Sequence, residues 1–178
     1  QMTTIDAGNV LNLAVRGTFD DCQDLVKAMF NDVPFRQELT LSAVNSINWA
    51  RVVAQSVYYV WAGLRLGAPD RSIAFAVPTG NFGNVYAGRV AAAIGLPIEQ
   101  LIVATNENDI LARFLASGRY ERGTVVPTTS PSMDIQVASN FERLLLELDH
   151  GDAERTRGRM QAFAQSGGFA VETELPTL

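Results

Sequence analysis

The stretch that decides the fold is Ile73-Ala74-Phe75-Ala76-Val77-Pro78-Thr79-Gly80-Asn81-Phe82-Gly83-Asn84, with Val85 to Ile94 behind it. Ile73 to Val77 is a short continuous apolar run, the pattern of a strand buried on both faces of a parallel sheet. Pro78 to Asn84 reads as a glycine loop. Val85 to Ile94 reads as an alanine-rich helix stopped by Gly95 and Pro97. A strand, a glycine turn and a helix in that order set unpaired N–H groups, and the positive end of a helix dipole, beyond the carboxyl end of a strand. A phosphate is the natural guest of such a place. A P-loop needs Gly-Lys-Ser/Thr before its helix, and no lysine stands here. Gly80, Gly83 and Gly88 do not have the spacing of a dinucleotide fingerprint. A free phosphate monoester on backbone amides, with Thr79 and Asn81 nearby, fits better. The same residues also suit a tight turn with no ligand.

Outward from this loop the chain alternates strand and helix patterns. Upstream, Val10 to Val15 reads as a strand behind a turn at residues 6–9. Thr18 and Asp21 approximate a capping box, and Cys22, Leu25, Val26, Met29 and Phe30 form one helical face. That spacing makes Cys22 a core residue and Lys27 a solvated one. Residues 31–48 read as polar and turn-rich. A helix from Trp49 to Leu66 has only a thin polar stripe, Arg51, Gln55, Tyr58 or Tyr59 and Arg65, which predicts burial of most of its surface, with Trp49, Tyr58, Tyr59 and Trp61 in the core. Downstream, Leu101 to Ala104 reads as a strand, and Asn108 or Asp109 caps a helix ending near Ser117. Residues 118–132 read as irregular. Helices follow at 140–148 and 153–165, and the tail after Gly167 carries no signal. His150 falls in a polar turn between those helices. Helical crossovers between strands argue an α/β fold with a mainly parallel sheet and flanking helices.

Composition sets the outer bounds. With 178 residues, 47% hydrophobic and 19% charged, the chain has enough apolar material for one ordinary domain or a piece of something larger. A net charge of −5 without a basic run argues against nucleic acid. No apolar run reaches the roughly 18 residues of a membrane span, and no secretory signal opens the chain. One cysteine forbids an internal disulfide and makes the cytoplasm the default location. One histidine and one cysteine exclude the usual zinc clusters. The first residue is Gln1 rather than Met, which reads as trimming or excision.

The string Val-Pro-Thr-Gly-Asn-Phe-Gly at 77–83 resembles the phosphate loop of threonine synthases, pyridoxal-phosphate enzymes of the tryptophan-synthase-like fold. Residues 16–23 (Arg-Gly-Thr-Phe-Asp-Asp-Cys-Gln), 45–51 (Asn-Ser-Ile-Asn-Trp-Ala-Arg), 104–109 (Ala-Thr-Asn-Glu-Asn-Asp), 131–135 (Pro-Ser-Met-Asp-Ile) and 139–143 (Ser-Asn-Phe-Glu-Arg) resemble the same family, in order along nearly the whole chain. The resemblance implies part of a tryptophan synthase β-like fold and pyridoxal 5'-phosphate as cofactor. The reaction it implies is O-phospho-L-homoserine plus water to L-threonine plus phosphate, with the cofactor as electron sink. It assigns Gly80, Asn81, Phe82 and Gly83 to the cofactor phosphate, flanked by Thr79 and Asn84. It makes Asn45, Ser46 and Asn48 substrate-side candidates. It also implies residues 1–44 as the end of a smaller α/β domain and 45–178 as part of the larger, cofactor-binding one.

The Schiff-base lysine of that family stands in a Phe-Lys-Asp setting, and this chain has none. Its one lysine, Lys27, lies on a polar helix face. The family chain is also much longer. The expectation is an internal piece of a threonine synthase, inactive by itself, with an open sheet edge that leads to self-association or to a remodelled terminus covering the gap. The alternatives are a phosphate-binding module without catalysis, or one half of a two-chain assembly. Asp134 suits either a helix cap or a support for a loop near the site. Arg51 suits an ion pair better than a ligand contact. Glu107 lies where a ribose-binding acid would fall, but the glycine fingerprint it would need is missing.

Overall fold

The structure is a computed structural model that describes residues 4–43 and 46–172. The chain divides into two units, Gln1–Leu41 and Ser42–Leu178.

The first unit holds helices α1 (Phe19–Asn31) and α2 (Val33–Glu38). Thr18 caps α1. The Thr18 side chain accepts from the Asp21 N–H, and the Asp21 carboxylate accepts from the Thr18 N–H at 2.6 Å, which is the reciprocal capping box. Asp32 ends α1 and caps α2, accepting from the Phe35 N–H at 3.1 Å. That second helix falls where only turns were expected; Asp32 followed by Pro34 is its start signal. Val10 to Val15 is not a strand. It has no ladder partner among the described residues, and Leu11 and Leu13 face solvent. Cys22 is half-buried rather than core, and Leu25 is exposed. Lys27 lies beside Asp24 at 3.6 Å, one helical turn away, as a solvated residue does.

The second unit begins with α3 (Trp49–Arg65), followed by β1 (Ile73–Pro78), α4 (Gly83–Ala93) and β2 (Ile98–Ala104). β1 and β2 pair in parallel, with Phe75 opposite Leu101 and Val77 opposite Val103. Helix α4 is the crossover between them, and α3 packs on α4. Gly88 makes that packing close. A Cβ there would stand 2.8 Å from Leu101 Cδ2 and 2.9 Å from Tyr59 Cε1, so only glycine lets α4 settle against both its neighbours.

Beyond β2 come α5 (Ile110–Ser117), β3 (Arg119–Glu121), a single 3₁₀ turn (Pro131–Met133), α6 (Phe141–Leu148), α7 (Ala153–Ser166) and β4 (Gly168–Ala170). Strands β3 and β4 form a short antiparallel pair. At three residues each they are too short to show a period in the sequence. They close over an aromatic cluster. Tyr120 stacks on Phe141 at 4.3 Å, Phe114 meets Phe141 edge-on at 4.6 Å, and Phe163 and Phe169 flank Tyr120. The Tyr120 hydroxyl accepts from the Ala138 N–H at 3.0 Å, so its polar end is satisfied inside the core.

The burial expected of α3 holds for one face only. Val52, Ser56, Tyr59 and Gly63 are buried, whereas Tyr58 is 71% and Trp61 62% exposed, with Val57 and Leu64 beside them. Of the four aromatic residues placed in the core by the sequence pattern, Tyr59 alone is there; Trp49 is half-exposed.

Phe114 is fully buried against Phe141 and Tyr120. Phe114→Ala is expected to cost about 3–5 kcal/mol, read as a shift of the urea midpoint at unchanged m-value.

Candidate functional site

The turn between β1 and α4 is built from its own side chains. The Thr79 hydroxyl donates to Asn84 Oδ1 at 2.6 Å and accepts from the Phe82 N–H at 3.2 Å. Asn84 Nδ2 donates to the Pro78 carbonyl at 2.7 Å. Thr79 is 3% exposed, and its N–H donates to the Ala104 carbonyl at the end of β2. The Tyr59 hydroxyl donates to the Asn84 carbonyl at 2.6 Å, and burial pushes its pKa up to about 12, so it stays a donor. Phe82 holds a left-handed backbone, φ 64°, a strained conformation for a side-chain-bearing residue. Its ring is buried against Phe141, which fixes it there.

The result is a helix start with open donors. Phe82 offers α4 no side-chain cap, and the N–H groups of Gly83 and Asn84 have no protein acceptor among the described residues. They border a polar cavity of about 300 Å³ shared by this turn, the start of α3 and the 3₁₀ turn. Arg51 and Gln55, one turn apart on α3, both line it. The thin polar stripe of that helix therefore includes a wall of the cavity. Gln55 Oε1 is buried in that wall without a hydrogen-bond partner among the described residues.

The turn is walled by distant segments. Asn140, fully buried, donates through Nδ2 to the Ser46 carbonyl at 2.8 Å and to the Asn81 carbonyl at 3.2 Å. Its Oδ1 accepts from Arg143 Nε, and Arg143 also donates to the Ile47 carbonyl at 3.1 Å. The Ser139 hydroxyl donates to Asn81 Oδ1 at 3.2 Å. Gly80 lies against the 3₁₀ turn. A Cβ on it would stand 3.2 Å from Met133 Cα and 3.3 Å from Ile135 Cδ1. Gly80 thus serves close approach of two protein segments and borders the cavity as well.

Ser46, Thr79, Gly80, Asn81, Gly83 and Asn84 all border the cavity, whereas Phe82 turns into the core. Asn48 caps α3, accepting from the Ala50 N–H and donating to the Ala43 carbonyl at 2.6 Å. Asn45 lies outside the described residues. Asn140, Arg143 and Gln55 were not among the site residues read from the sequence. The only signal for the first two was their place in a string shared with a family. Asp109 stands at the start of α5 without capping it, because its carboxylate pairs with Arg113 at 2.8 Å. His150 sits in the expected turn with φ 54°.

Asp134 is buried and caps no α-helix. It accepts from the Thr128 hydroxyl and N–H at 2.6 and 2.7 Å and from Asn106 and Asn108 at 2.7 and 3.1 Å. The Thr128 hydroxyl, then its N–H, and to a smaller extent Asn106 hold this carboxyl below the usual carboxylate range.

The chain has counterparts among known proteins. The chain is 55% identical to the threonine synthase of Pseudomonas aeruginosa over 174 residues, 98% of this chain and 37% of the relative. It is 55% identical to that of Saccharomyces cerevisiae over 148 residues, 82% of this chain and 29% of the relative. A crystal structure of a PLP-bound threonine synthase from Brucella melitensis superposes with a TM-score of 0.82 at 61% identity, over 93% of this chain and 36% of that one. By sequence and by fold, this chain belongs to the threonine synthase family. It spans a little over a third of the length of the relatives it matches most extensively. No protein-family model matches it.

A carboxyl whose folded pKa is depressed contributes stability above its unfolded value of about 3.9, lost as pH falls through the folded value. The wild-type urea midpoint should therefore drop below about pH 4. Asp134→Asn should lower the midpoint at pH 7 and remove part of that acid dependence.

Proposed function

We propose that this chain forms the cofactor-phosphate-gripping part of a threonine synthase, which converts O-phospho-L-homoserine and water to L-threonine and phosphate. The observation that carries the reading is the pair of N–H groups of Gly83 and Asn84, without a protein acceptor among the described residues, at the positive end of α4 on the cavity. The donor set suits the phosphate of pyridoxal 5'-phosphate. The backbone N–H groups of the turn would hold it, and the clasp of Thr79 on Asn84 fixes their direction. When bound, that cofactor supplies an electron sink for proton loss beside the amino group.

The other named residues take supporting places. Ser46 borders the cavity and serves in this reading as a substrate contact, and Asn48 fixes the start of α3. Asn45 belongs with them by the family string. Arg51 adds a cation to the wall, which suits a phosphorylated amino acid. The division of the chain near residue 44 into the end of a smaller domain and part of a larger one follows the family pattern. So does a cytoplasmic location; no described helix is long and apolar enough to cross a membrane. The exposed apolar face of α3 and the β1–β2 pair, which has no third strand among the described residues, support self-association.

Lys27 is the only lysine of the chain and sits on α1 beside Asp24. By itself the chain therefore binds the cofactor without a covalent bond and does not turn over O-phospho-L-homoserine. Titration with pyridoxal 5'-phosphate should show weak binding that inorganic phosphate competes away. Borohydride treatment and peptide mapping should leave Lys27 unlabelled. Selective trapping on Lys27, or turnover on the scale of a complete enzyme, would defeat this reading. Sedimentation velocity should show mass rising with concentration; a monomer throughout would remove self-association.

A further inference from the structure

We propose that Asp134 is a positioning residue for the anion-binding turn, its carboxylate drawing residues 106, 108 and 128 into one clasp that seats the 131–135 segment against Gly80. The inference rests on the reading of the β1–α4 turn as a phosphate site.

Three observations connect the clasp to the turn. The first is the donor set. Asp134 Oδ1 accepts from Asn106 Nδ2, Asn108 Nδ2 and the Thr128 hydroxyl, while Oδ2 accepts from the Thr128 N–H. All four are neutral donors, and one carboxylate gathers two segments of chain that are distant in sequence. The second is the strand end. Asn106 and Asn108 follow directly on β2, whose last residue, Ala104, accepts from the Thr79 N–H at 2.9 Å. The strand end that the clasp holds is therefore the one on which the turn begins. The third is the contact with Gly80. Hydrogen bonds from the Met133 N–H to the Ser130 carbonyl, from the Asp134 N–H to Pro131 and from the Ile135 N–H to Met133 wind this segment tightly around Asp134. Met133 and Ile135 then abut Gly80 so closely that a Cβ does not fit without a shift, and Ser132 and Met133 continue as the cavity wall. No side chain at Gly80 cushions that contact. A displacement of the 131–135 segment is passed straight to the backbone that carries the Gly83 and Asn84 donors.

The test is a set of ¹H–¹⁵N spectra of the full chain with pyridoxal 5'-phosphate titrations, for wild type, Asp134→Asn, Thr128→Val and Thr128→Ser. Thr128→Val keeps the charge and the side-chain shape, so it reports on the clasp even where Asp134→Asn fails to fold. Asp134→Asn and Thr128→Val should move the amide signals of Gly80, Gly83 and Asn84 and weaken cofactor binding about tenfold. Thr128→Ser should restore both to wild-type values. A merely structural role would lower the melting temperature without singling out those amides. Unmoved Gly80, Gly83 and Asn84 signals in variants whose 128–135 signals have shifted would overturn the proposal. Failure of the wild type to bind the cofactor would sink the phosphate-site reading instead, and the amide signals would still decide the role of Asp134.

Discussion

The hydrogen bond between the Thr79 hydroxyl and Asn84 Oδ1 spans the turn from the end of β1 to the first turn of α4. A strand leaving a parallel pair must reverse into a helix whose first N–H groups are unpaired. Most helices resolve this with a side-chain cap. Here Asn84 Oδ1 accepts from both the Thr79 hydroxyl and the Val85 N–H, and Phe82, at the cap position, makes no side-chain cap bond. Among the described residues nothing accepts from the Gly83 and Asn84 N–H groups, and the turn keeps its shape without them.

That shape has a cost that the core offsets. Phe82 sits at φ 64°, where a left-handed backbone costs a non-glycine residue about 1–2 kcal/mol. Burial of its ring beside Phe141 returns about 1.5–3 kcal/mol. The aromatic cluster of Phe141, Phe114 and Tyr120 thus connects the stability of the unit to the geometry of the site. Strain concentrated at a turn beside a cavity, with the surrounding packing over-determining it, keeps the backbone donors of that turn in one direction.

The two faces of α3 show how unevenly the chain is covered. Tyr59 packs edge-on against Phe75 at 5.0 Å and supports Asn84 through its hydroxyl, while Tyr58 and Trp61 face solvent. The chain covers 36% of the Brucella melitensis structure that it superposes on. Strands of a parallel sheet are ordinarily covered on both faces, and β1 and β2 have no further strand beside them among the described residues.

By itself the sequence determined the local elements: the Thr18–Asp21 capping box, the apolar run 73–77, the glycine turn and the alanine-rich helix behind it. Each depends on neighbours within a few residues, so spacing and residue type suffice. The same logic misplaced a strand at Val10–Val15, because a strand needs a partner that local pattern does not supply. It buried Tyr58 and Trp61, because apolar spacing around a helix says nothing of what stands opposite each face. The short β3–β4 pair was illegible for the converse reason: three residues carry no period, and only the Tyr120–Phe169 packing brings them together. Tertiary structure alone decided the walls of the site. Asn140 reaches the Ser46 carbonyl across 94 positions, and Met133 closes on Gly80 so nearly that a Cβ there would stand 3.2 Å from its Cα. Such contacts depend on how the packed elements meet, and no spacing rule within a single chain segment encodes them.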